Sequence, residues 1–88
     1  MTNDLTRNID LLHTTTLGSE RIKRNLGLTT DDVVRWCKLK TLQADAIIRK
    51  GKNWYVYANE VVITVNAHSY TIITAHISNK NPLINVWP

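Results

Sequence analysis

Residues 63–76, ITVNAHSYTIITAH, decide the fold. β-Branched residues fill both halves of the stretch, and a His-Ser pair separates them. Two such runs joined by a short polar link predict a β-hairpin. The pattern continues upstream. AIIRK (46–50), WYVYA (54–58) and VVITVNA (61–67) are separated by GKN and NE, and YTIITAHI (70–77) follows the His-Ser pair. Four β-rich runs with short polar links predict a four-stranded antiparallel β-meander.

Before residue 45 the apolar period is helical. DLTRNIDLLHT carries Leu5, Ile9 and Leu12 on one stripe. LGSERIKRNLG offers Ser19 as N-cap and Gly27 as stop, with Ile22 and Leu26 four apart. LTTDDVVRWCKLK starts at Thr29 or Thr30, sets Asp31 and Asp32 in its first turn, and has Val33, Trp36 and Cys37 as its inner stripe. Helices followed by four consecutive strands predict an α+β fold: two or three N-terminal helices packed on one face of a four-stranded antiparallel meander. No repeat or linker divides the chain, so residues 1–77 are expected to form one domain. Residues 78–88, which hold Pro82 and Pro88, are expected to form a tail that sets Leu83, Ile84 and Trp87 on the body.

The 88 residues allow one modest core, with 43% hydrophobic and 20% charged residues. A lone cysteine excludes an internal disulfide, and Cys37 reads as a small buried apolar residue. No signal-peptide pattern and no run long enough to span a bilayer is present, which points to a cytoplasmic protein without a membrane partner. The net charge is +4, and nine of the eleven Lys and Arg residues lie between Ser19 and Lys52. Such an excess favours an anionic partner, above all RNA or another nucleic acid, and a merely solvated basic face is the alternative.

Period-two alternation sorts the last two strands. Val61, Ile63 and Val65, with Thr71, Ile73, Ala75 and Ile77, form the apolar set. Thr64, Asn66, Tyr70, Thr74 and His76 gather on the other face, and His68 falls in the turn. His13, Arg21 and Arg24, with Arg49 or Lys50, supply a second acid/base group and cations from elsewhere in the chain; Lys23 and Lys52 extend the basic set. There is no metal-ligand spacing, Gly-rich phosphate loop or serine elbow, so neither metal nor cofactor is expected. Histidines, cations and hydroxyls suit metal-free cleavage of an RNA phosphodiester, which needs a base for the 2′-hydroxyl, an acid for the leaving oxygen and charge for the phosphate.

LLHTTTLGSERIKRNLGL (11–28), DVVRWCKLK (32–40) and GKNWYVYANEVVITVNAHSYTIITAH (51–76) resemble a small bacterial family of unknown function, the domain-of-unknown-function family 3781. A looser likeness, of layout and a few residues, is to the barnase–EndoU–colicin–RelE group of metal-independent ribonuclease toxins and their phage-borne relatives. That likeness implies His13 and His76 as acid/base groups, Arg21 and Arg24 for phosphate, and Tyr70 and Thr74 for orientation. The leading expectation is thus an RNA-directed protein, in its sharper form a metal-independent endoribonuclease of toxin type with an antitoxin as partner. A non-catalytic binder of nucleic acid or nucleoprotein, such as a phage or mobile-element inhibitor, is the alternative. A homodimer formed through an edge strand and the Trp87 tail is the third reading.

Overall fold

The computed structural model describes residues 3–78, so the expected tail contacts of Leu83, Ile84 and Trp87 lie outside the described residues. Helices come first: α1 (Asp4–Arg7), a 3-10 turn (Ile9–Leu11), α2 (Thr16–Leu26) and α3 (Val33–Leu42). The strands follow as β1 (Ala46–Lys50), β2 (Asn53–Ala58), β3 (Val61–Asn66) and β4 (Ile72–Ile77). They form one antiparallel sheet in the order β1-β2-β3-β4. The α+β meander is as the periodicity predicts.

One layer of helices covers one face. α2 lies on β4 and α3 on β2. Ile22 from α2, with Val33 and Cys37 from α3, meets Trp54, Val56, Ile63, Val65, Ile72 and Ala75 from the sheet, and Leu5 and Leu12 close the core. Trp36 is only partly buried against it, with the Lys40 ammonium 5.4 Å from its ring centre. Cys37 is fully buried, and burial pushes its thiol up to about 12. Iodoacetamide at mildly alkaline pH is therefore expected to leave the folded protein unmodified and to alkylate it fully in urea. Labelling of the folded protein at the unfolded rate would show that Cys37 is accessible.

Several local expectations are corrected. The first helical stretch is broken at Asn8, although Leu5, Ile9 and Leu12 still face the core. Its α part is held by a capping box between Asn3 and Thr6. α2 is capped by Thr15, not Ser19: the Thr15 side chain accepts from the Gly18 N–H at 2.9 Å. Gly27 ends it in the left-handed conformation, φ 63°, as expected. α3 is capped by Asp32, whose carboxylate accepts from the Arg35 N–H at 3.1 Å, so the cap falls after Thr29 and Thr30. At Gly18 an added Cβ would collide with Thr14 Oγ1, which donates to the Ile72 carbonyl, and press on Thr15 Oγ1. Gly18→Ala is accordingly expected to cost about 1–3 kcal/mol, read as a lower urea midpoint at unchanged slope.

The largest departure is in the last hairpin. Its link is longer than a His-Ser pair: Asn66 starts a turn that runs through Tyr70, which has φ 60°. A register shift then separates the pairs Thr64–Thr74 and Val65–Ile72. This bulge lets Ile72 face the core at 1% exposure and leaves Ile73 at 41%. The expected inward set of Thr71, Ile73, Ala75 and Ile77 holds at Ala75, which is fully buried.

Candidate functional site

The face of the sheet away from the helices follows from strand register. Trp54, Val56 and Ala58 on β2 point into the core, so Asn53, Tyr55 and Tyr57 point outward. Carrying the parity across gives three rows: Ala46–Tyr57–Val62–His76, Ile48–Tyr55–Thr64–Thr74 and Lys50–Asn53–Asn66. Tyr55 and Tyr57 are half-buried at the centre. With Lys50, Lys52 and Asn53 they line an open groove of about 590 Å³. The two turns at its Lys50 end lie side by side, joined by the Ala67 N–H to the Lys52 carbonyl at 2.8 Å. Lys50, Lys52 and His68 gather at this end, whereas Asp45 and Glu60 stand at the other. The face therefore carries a charge gradient, with its cations beside the aromatic groove.

The predicted site residues divide among three places. Thr74 and His76 stand on the open face as expected, with His76 exposed opposite Val62. Tyr70 does not join them. Its positive φ places it in the turn, where it packs against the core and its hydroxyl accepts from Asn8 Nδ2 at 3.3 Å. His13 does not end a helix; it forms a parallel bridge with Thr71 beside the start of β4. Its backbone accepts from the Ile72 N–H at 2.7 Å and donates to the Tyr70 carbonyl at 3.2 Å. The ring has Nδ1 2.9 Å from the Leu11 carbonyl, to which it donates, and Nε2 3.1 Å from the Thr71 hydroxyl.

His76 lies five residues further along β4, roughly 15 Å away by strand rise. An acid and a base acting on one phosphodiester must both reach it by hydrogen bonding. His13 and His76 do not converge in that way.

The basic residues divide as well. Lys50 and Lys52 line the groove. Arg49 stands in β1 beside the same turn but has core-side parity, with its guanidinium 5.5 Å from the Trp54 ring centre and its Nε donating to the Gly51 carbonyl. Arg21, Lys23 and Arg24 belong to α2, in the layer on the opposite side of the sheet. Lys23 is engaged with Asp31 at 2.7 Å, and its ammonium holds that carboxyl below the ordinary value.

A reading centred on histidines passes over Tyr55 and Tyr57. The signal for them was the alternation in WYVYA, where Trp54 and Val56 turn inward and the two tyrosines must turn out. Among the described residues no group of three or more His, Cys, Asp and Glu side chains is arranged to hold a metal, and no helix is long and apolar enough to cross a membrane.

Comparison with curated proteins and with solved structures gives no match. Residues 6–76 match the model of the family described as a protein of unknown function, DUF3781, and the chain belongs to that family.

Proposed function

We propose that this protein binds single-stranded RNA across the open face of its sheet, as a binder and not as a nuclease. The observation that carries the proposal is the pair of outward tyrosines, Tyr55 and Tyr57, in a groove rimmed by Lys50 and Lys52. Tyrosine rings two residues apart on one strand are about 7 Å from each other, a spacing that serves successive unstacked bases. Base stacking supplies affinity without demanding a fixed sequence, and lysines beside the rings neutralise the phosphates. Duplex RNA offers no exposed base faces and gains only the charge contribution. His13 and His76, set far apart along β4, do not serve one phosphodiester together, which favours binding over cleavage.

The test is anisotropy of a labelled single-stranded RNA of about fifteen nucleotides, titrated with the full chain at several salt concentrations. Binding that weakens linearly in log–log form with salt is expected, and a duplex of the same length should bind more weakly. Replacing Lys50 and Lys52 together by alanine is expected to lower that slope by about 1.4, at about 0.7 per phosphate contact on a single strand. Absence of binding at low salt, or equal affinity for duplex and single strand, would overturn the proposal.

A further inference from the structure

At its basic end the open face finishes in two directly opposed amides, Asn53 on β2 and Asn66 on β3. Asn66 is fixed in orientation. Its Oδ1 accepts from the His68 and Ser69 backbone N–H groups, both at 2.9 Å, and from the Ser69 hydroxyl at 3.2 Å. Three donors on one oxygen determine which end of the amide is the carbonyl. The Nδ2 hydrogens therefore lead away from the turn, and no bond among the described residues uses them. Asn53 faces it with its amide 3.5 Å from the Tyr55 hydroxyl, a long contact to a group that both donates and accepts, so this amide can turn either end to a ligand.

Directly opposed residues have Cβ atoms about 5 Å apart, so one ligand edge can meet both amides. A phosphate only accepts and would use donor ends alone, with no role for an amide carbonyl. A nucleobase edge carries acceptors and an N–H side by side and satisfies both. We infer that Asn53 and Asn66 form a base-reading site, which makes the protein selective for the base seated next to Tyr55. The inference rests on the single-strand reading above and adds selectivity to it. Asn66 is held by its turn before any ligand arrives, so little ordering is left to oppose binding.

The test compares labelled adenine, cytosine and uracil homopolymers of about fifteen nucleotides. Each is titrated against the full wild-type chain, Asn53→Ala and Asn66→Asp at one salt concentration. The wild type should separate its best and worst homopolymers by about tenfold or more. Asn53→Ala should bring that ratio below about threefold while the weakest homopolymer binds as before. Asn66→Asp keeps an oxygen for the turn but loses both donors. Its added charge lowers all three affinities together, and the ratio between homopolymers should collapse. Equal wild-type binding of the three, or a ratio that Asn53→Ala leaves unchanged, overturns base reading while the single-strand proposal stands. No binding of any homopolymer overturns both.

Discussion

Replacing Tyr55 and Tyr57 together by alanine is expected to weaken single-stranded RNA binding at least thirtyfold while the urea midpoint moves little. Each base stacked on an aromatic ring contributes about 1–3 kcal/mol by alanine substitution, so two rings at the lower limit give about 2 kcal/mol, or roughly a factor of thirty. Both side chains are half-buried on the open face and outside the buried core, so their loss costs little packing. The salt slope should stay as in the wild type, because Lys50 and Lys52 remain. That combination separates stacking from charge: the tyrosine variant loses affinity at constant slope, whereas the lysine variant loses slope. Phenylalanine at both positions should restore most of the affinity, since the ring and not the hydroxyl carries the stack. Unchanged affinity in the double alanine variant would remove RNA from this face and leave its aromatic groove to a protein partner.

The fold was legible because its two periods differ sharply. Leu5, Ile9 and Leu12 repeat as a helix, and the runs from Ala46 onward repeat as strands joined by links too short for anything but antiparallel neighbours. Gly27 announced its own left-handed stop. The helix starts were less legible, because three consecutive threonines, Thr14, Thr15 and Thr16, lie at the start of α2 and only the backbone path selects Thr15 as the cap. The site was legible in part. Thr74 and His76 follow from simple alternation, since the bulge precedes them. Tyr70 does not, because its place depends on a turn organised by the Asn66 side chain, with His13 bridged to Thr71 alongside. Whether His13 meets His76 was never encoded in spacing. It depends on which end of β4 the segment after Leu11 joins, and that segment joins the end away from His76.

Ile72→Ala is expected to cost about 2–5 kcal/mol, and Ile73→Ala less than about 1 kcal/mol. Unbroken alternation along 70–77 predicts the reverse order, with Ile73 inward beside Ala75. The bulge between the Thr64 and Val65 pairings inverts it: Ile72 is 1% exposed and Ile73 41%. Ile72 sits opposite Val65 and is anchored on both sides by its backbone. Its N–H donates to the His13 carbonyl at 2.7 Å, and its carbonyl accepts from the Thr14 hydroxyl at 3.0 Å. A strand held this way cannot collapse into the space that alanine leaves, which places the cost toward the upper part of the range. A chain of this size has about 4–13 kcal/mol of stability in all, so Ile72→Ala removes a large share of it. Urea titrations of the two variants read the difference directly as a shift in midpoint at constant slope. If Ile73→Ala is instead the costlier change, β4 runs without its bulge. The turn that is fixed by Asn66, carries Tyr70 and borders His13 then takes another path, and the base-reading amide pair loses its footing with it.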